Sequence, residues 1–283
     1  MWLPDAHSDA PAPMSALLSG VIISAGAYAI LRLSLGMVFP ALMGTQFALD
    51  FLHGLAIFAV VSAFFGSLIA LVETDIKRVI AYSSIAHMGY ILFGISLFPS
   101  SSTTGAIVIS VAITGTVLHI LSHALSKGLL FLSAGAVMHQ TEERDITKMG
   151  GLAKKMPFTA VGSFIATLSI GGAPPFACFI SEFFIFVGAF KVMQIDSFYT
   201  IPTALMLIAT VLSLAYSLRF LSKVFFGESK TQTENQGEQK HKITEVPNFM
   251  KIAFIILAVL VVIVGFYPEF FVNLINTVTF GGA

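Results

Sequence analysis

The chain has 283 residues, of which 56% are hydrophobic and only 11% charged, with Lys and Arg balancing Asp and Glu at 15 each. Its mean hydropathy of +0.90 exceeds what a soluble core needs, so composition points to an all-α, polytopic transmembrane helical bundle. Zero net charge without a Lys/Arg cluster excludes a nucleic-acid surface. A single cysteine, Cys178, excludes a disulfide framework and cysteine-held clusters, and within an apolar run it reads as a small packing residue.

The opening stretch Met1-Trp-Leu-Pro-Asp-Ala-His7 has neither the basic region nor the apolar core of a signal peptide, and Pro4, Pro11 and Pro13 predict a loop. Apolar runs long enough to cross a bilayer follow at about 14–38, 48–72, 78–98, 105–138, 157–191, 199–226 and 248–274, which gives about seven helices. The fourth and fifth exceed the roughly 20 residues of one crossing, so each is expected to be tilted, kinked or broken. The fifth contains Gly171-Gly172-Ala173-Pro174-Pro175, which predicts one broken helix near 171–176. Irregular backbone at membrane depth belongs to ion sites, or is a simple proline kink; Glu182, shortly beyond Pro175, favours the ion site.

The third run begins Glu73-Thr74-Asp75-Ile76-Lys77-Arg78, where Thr74 or Asp75 can cap a helix. It then carries Ser83, Ser84 and His87, and His87 either handles protons or bonds a neighbouring carbonyl. The fourth run holds His119, His123 and Lys127, each four residues apart. On a helix they share one face over about 12 Å. Ionisable groups inside a membrane are costly and usually functional, so the row reads as stepping stones for a proton; the plainer alternative is hydrogen bonding to neighbouring helices. Lysine in a dry site can give up its proton, histidine can accept on one nitrogen and release from the other, and a buried glutamate can be neutral or charged. No metal-ligand spacing and no redox-cofactor motif is visible, so no cofactor or metal is expected and this chain itself carries no electrons.

Seven crossings distribute the cations unevenly. One side receives Lys77, Arg78, Arg144, Lys148, Lys154, Lys155, Arg219, Lys223, Lys230, Lys240, Lys242 and Lys251; the other receives Arg32 and Lys191. That asymmetry predicts a cytoplasmic N-terminus in a multi-pass protein of the cell (inner) membrane. The expected order from inside to outside is Lys127, His123, His119, then Glu182.

Several stretches in order, Trp2-Leu-Pro-Asp-Ala-His7, Thr74-Asp-Ile-Lys-Arg78, Ala81-Tyr-Ser-Ser-Ile85 with His87-Met-Gly89, the His119/His123/Lys127 row, and Gly172-Ala-Pro-Pro-Phe176 with Ser181-Glu182, resemble the antiporter-like membrane subunits of respiratory complex I, Mrp-type Na⁺/H⁺ antiporters and membrane-bound hydrogenases. Glu182, where L- and N-type subunits generally have lysine, makes the chain most like the M-type or Mrp D-type subunit. The resemblance implies two inverted five-helix repeats, each with a broken helix; this chain corresponds to the C-terminal half. It departs from the family at Ser24, where many M-type relatives have lysine, and at Ser19, where some L-type relatives have histidine. The expected organisation is residues 1–226 as the C-terminal part of an antiporter-like domain, 227–247 as a hydrophilic cytoplasmic loop, and 248–283 as a last transmembrane helix with a short tail. The implied function is proton translocation within an NADH/quinone-type oxidoreductase or hydrogenase complex, with an Mrp-type antiporter component or a non-conducting structural fragment as alternatives. The implied partners are the lipid bilayer and other membrane subunits, one supplying the N-terminal half.

Overall fold

The computed structural model describes residues 2–38, 42, 44–98, 103–228 and 243–280. Among them Lys230, Lys240 and Lys242 of the expected hydrophilic loop are not included. The secondary structure is helical: α1 (Trp2–Asp9), α2 (Ala12–Leu33), α3 (Gln46–Val72), α4 (Ile76–Ser96), α5 (Thr103–Thr141), α6 (Pro157–Ile170), α7 (Ala177–Met193), α8 (Thr200–Phe225), α9 (Asn248–Phe266) and α10 (Pro268–Phe280). Six of the described helical stretches are long and apolar enough to span a membrane, and α6 with α7 forms a further, interrupted crossing.

Two expectations need correction. The opening stretch is helical rather than a loop, because Pro4 falls in the first turn of α1, where no intrahelical N–H bond is lost. Pro13 is tolerated at the start of α2 for the same reason. Of the two long runs, the fourth is a single helix of 39 residues, α5, longer than one upright crossing needs, and the fifth is broken at Gly171–Pro175 as expected. The run at 248–274 is divided, with α9 ending before Tyr267 and Pro268 opening α10.

The bundle is apolar outside and carries buried polar groups within its apolar core. Phe58, Phe65, Val211, Ile252 and Ile255 face outward, whereas Ser19, Ser67, Ser83, Ser84, Ser126, Ser163, Thr167 and Ser213 are buried. This arrangement suits a protein whose solvent is hydrocarbon, where outer faces need apolar side chains and buried polar groups serve helix packing. Three glycines let neighbouring helices approach closely. A Cβ at Gly89 would lie 2.6 Å from the Ala59 carbonyl oxygen, joining α4 to α3. At Gly115 it would lie 2.7 Å from the Ile185 nitrogen, and at Gly188 2.7 Å from the Ala112 Cβ, so α5 and α7 approach closely at small residues.

One end of the bundle gathers the N-terminal segment and several connections. Asp75 caps α4 through the Lys77 and Arg78 amides at 2.9 and 3.0 Å. Ile76 N–H donates to the Arg144 carbonyl, and Ile146 N–H to the Thr74 carbonyl, both at 2.9 Å. Lys77 Nζ donates to the Ala10 carbonyl, Arg78 pairs with Asp5, and Arg144 pairs with Asp75 at 3.0 Å. Arg219 reaches the Glu73 carbonyl at 2.7 Å. The Leu-Pro-Asp-Ala-His and Thr-Asp-Ile-Lys-Arg stretches are thus two halves of one clamp.

Candidate functional site

The site is built where α6 stops and α7 begins, against α4, α5 and α8. α6 closes with Ala173 N–H donating to the Leu168 carbonyl and Gly172 N–H to the Ser169 carbonyl, each at 3.0 Å. This pair of bonds is a Schellman closure, which places Gly172 in the left-handed region at φ 65°. Glycine serves twice here. A Cβ on Gly172 would stand 2.7 Å from Glu182 Oε2, so the bare backbone makes room for the carboxylate. Gly171, Pro174 and Pro175 complete the interruption, with the Pro174–Pro175 bond cis. The carbonyl of Ile170, beside the break, accepts from Ser213 Oγ at 3.1 Å. α9 covers the break from outside: a Cβ at Gly265 would lie 2.2 Å from the Pro175 carbonyl oxygen.

Around this break the structure assembles His87, His119 and Glu182 from three different helices. His87 Nδ1 and His119 Nε2 are 3.1 Å apart, and His87 Nδ1 is 4.0 Å from Glu182 Oε1. His119 Nδ1 shares a hydrogen bond with Ser181 Oγ at 2.8 Å, and His87 Nε2 one with the Tyr216 hydroxyl at 3.4 Å. Tyr216 in turn meets Ser213 Oγ at 2.8 Å. Tyr90 stacks on His87 with ring centroids 5.5 Å apart. His87, His119 and His123 are fully buried, and Glu182 is 3% exposed.

Lys127 lies one step away. Its side chain is fully buried, and its ammonium donates to the Ile80 carbonyl at 3.0 Å and to Ser83 Oγ. Among the described residues no ion pair includes it. Ser83 and Tyr216 both line a cavity of about 10 Å³ with Thr167 and Ser217, close to what a single water needs. Thr167 and Ser217 have hydroxyls without a protein partner. His123 stands beside His87 with ring centroids 5.6 Å apart, and neither of its ring nitrogens has a partner among the described residues.

The structure therefore brings all five sequence-predicted residues into one polar interior but arranges them differently from a single row. His87, read from sequence as ambiguous, is at the centre, touching His119, His123, Tyr90 and Tyr216. Lys127 connects through Ser83 toward Tyr216 and His87 rather than only along its own helix. Tyr216 and the hydroxyl-lined cavity leave no local signal in the sequence, whereas Ser181 stands beside Glu182 in one of the stretches that carry the resemblance, and Ser83 lies four residues before His87 on α4. Ser19, at the position of interest on α2, bonds Ser84 Oγ at 2.8 Å from within a π-helical turn, and Ser24 is buried without a partner.

His7 approaches from the clamped end. Its ring is buried and stacked on Phe131 at 4.7 Å. Burial, followed by the Lys127 and Lys77 charges, pushes it down to about 4, so it is neutral at physiological pH.

Residues 1–213 match the family described as NADH:quinone oxidoreductase/Mrp antiporter, TM. The chain is 34% identical to hydrogenase-4 component B of Escherichia coli over 272 residues, which is 93% of this chain and 39% of that protein. It is 34% identical to NADH-quinone oxidoreductase subunit M of Pseudomonas aeruginosa over 269 residues, 95% of this chain and 47% of that protein. A solved structure of the membrane-bound sulfane sulfur reductase, an archaeal respiratory membrane complex, superposes with a TM-score of 0.78 at 30% identity, covering 94% of this chain and 41% of the matched one. The chain spans about half the length, or less, of these relatives.

Proposed function

Because the chain belongs to the NADH:quinone oxidoreductase/Mrp antiporter membrane family, we propose that it is an integral membrane subunit that carries protons between Lys127 and Glu182. The observation that carries this reading is Lys127, fully buried and, among the described residues, bonded only to neutral oxygens. An unpaired buried ammonium is costly, and a fold tolerates it where the charge must come and go. From Lys127 a proton reaches Ser83, and one water in the adjoining cavity links Ser83 to Tyr216. Tyr216 passes to His87, and His87 to His119 or directly toward Glu182. Each step exchanges a proton between groups that can both donate and accept. His123 offers a parallel route along α5. Glu182, held at the broken helix, is the far gate.

The redox partners belong to other subunits of an oxidoreductase or hydrogenase complex. The exposed apolar faces of α2, α3, α8 and α9 lie against such subunits and lipid. The excess of Lys and Arg at the clamped end supports a reading in which that end, with the N-terminus, faces the cytoplasm across an inner membrane. The family's own description keeps an Mrp-type antiporter component as the second reading; proton movement that depends on a sodium gradient rather than on electron flow would favour it.

The test is proton uptake by the assembled complex in proteoliposomes. Lys127→Ala should reduce uptake to background while the complex still assembles. Lys127→Arg should fail as well, since a guanidinium keeps its proton at any accessible pH. Normal uptake by the arginine variant would remove Lys127 from the path.

A further inference from the structure

We infer that His87 Nδ1, His119 Nε2 and Glu182 Oε1 form a three-ligand site for a zinc-class divalent cation, and that a bound cation blocks the proton route. The three ligand atoms lie within 4.8 Å of one another. Two imidazoles and one carboxylate suit zinc or cobalt, whose bonds of about 2.0–2.2 Å place tetrahedral ligands roughly 3.4 Å apart. The separations of 3.1 and 4.0 Å bracket that spacing, so a small movement of the carboxylate closes the set.

Three features distinguish this from a chance meeting of polar groups. Glu182 Oε1 is buried and has no hydrogen-bond partner among the described residues, although it lies 4.0 Å from His87 Nδ1. Each histidine has its other nitrogen held from outside the set, His119 by Ser181 and His87 by Tyr216. That outer-partner arrangement is typical of metal-binding histidines: it fixes the ring and turns a lone pair inward. The ligands come from α4, α5 and α7, and the α5–α7 contact is fixed by close packing at Gly115 and Gly188. Three ligands leave a fourth position for water, the open form of a zinc site.

Without a cation, the 3.1 Å contact between His87 and His119 requires one proton between their facing nitrogens. A cation takes both lone pairs, releases that proton, and leaves no acceptor through which the next can pass. Cation binding stands on the geometry alone; the blockade rests on the proton-path reading above.

The experiment uses the purified, assembled complex, stripped with a chelator and titrated with Co²⁺ as a spectroscopic probe. The expected result is one cobalt per chain with the visible absorption of a tetrahedral site, displaced by Zn²⁺. His119→Gln and Glu182→Gln should remove that band from complexes that still assemble. Ser181→Ala, a milder change that frees the outer nitrogen of His119, should weaken binding by roughly tenfold to a hundredfold. His53→Ala, at the half-exposed His53–Asp196 pair, should leave the band unchanged. In vesicles the Zn²⁺ concentration that halves proton uptake, measured against each variant's own rate, should rise for Ser181→Ala in step with its cobalt affinity. Absence of a cobalt band, or a band that survives both His119→Gln and Glu182→Gln, overturns the site. A band that behaves as expected while zinc leaves proton uptake untouched keeps the site and overturns the transport reading beneath the blockade.

Discussion

The clamped end and the buried interior use the same residue types in opposite ways. At the clamp, Arg78 meets Asp5, Arg144 meets Asp75, and Lys77 is held by the Ala10 carbonyl. The ion pairs reach the surface, and each of these cations has an acceptor. Within the bundle, and among the described residues, Lys127 has only neutral oxygens, His123 has no hydrogen-bond partner, and Glu182 keeps an oxygen without one. Paired charges hold helices in register; unpaired ones, in a site that hydrocarbon surrounds, hold options open for a proton. The contrast predicts that changes in the interior cost transport more than stability, and changes at the periphery the reverse.

The largest effect on that contrast, beyond loss of Lys127 or of the Glu182 carboxyl, is expected from Gly172→Ala. The left-handed backbone would cost about 1–2 kcal/mol, and the new Cβ would meet Glu182 Oε2, at 2.7 Å in the present geometry. The complex should assemble with a modestly lower melting temperature, yet proton uptake should fall nearly to that of an inactive variant. Equal uptake in the alanine variant would detach the break from the path.

A smaller effect is expected from Tyr216→Phe, which keeps the ring and removes the hydroxyl linking Ser213, His87 and the cavity. A lost buried hydrogen bond is worth about 1 kcal/mol, or roughly fivefold in rate. Proton uptake should slow by about that much, because water can partly restore the link. A rate indistinguishable from wild type would move the route onto His123.

Much of the site was legible in the sequence, and the limits are physical. The His119/His123/Lys127 spacing reports one helical face directly, and Gly-Gly-Ala-Pro-Pro reports a break in a helix from local chemistry alone. Contacts between helices leave no such periodic trace. Tyr216 sits far along the chain from His87, and only the packing of α8 beside α4 shows that they meet. The Gly172 seat for Glu182 joins a local signal to one that needs the fold. Proline at the N-terminus is a poor guide, because first-turn positions tolerate it and the opening stretch is helical.

The smallest effect is placed outside the membrane, at Glu245. Its carboxylate accepts from the Thr159 hydroxyl at 2.6 Å and from the Phe158 amide at 2.7 Å, capping the start of α6 from the chain leading into α9. Burial pushes this carboxyl up, but the Thr159 hydroxyl and the Val246, Phe158 and Thr159 amides outweigh it and hold it below its ordinary value of 4.5. A depressed acid contributes stability that is fully present above 4.5 and is lost as the pH falls through its lower folded value. Glu245→Gln should therefore lower the melting temperature near neutrality and converge with wild type in acid, with proton uptake unchanged at neutral pH. A melting difference that persists at low pH would assign the loss to packing instead.

The most direct test of the central claim is Glu182→Gln in the assembled complex, compared with wild type by proton uptake into vesicles at matched protein levels. Glutamine fills the same space against Gly172 and keeps hydrogen bonding while losing the proton, so it separates titration from packing. A proton path that ends at Glu182 predicts normal assembly with uptake reduced to background. Uptake equal to wild type would contradict it, and would leave Glu182 a structural residue at the broken helix.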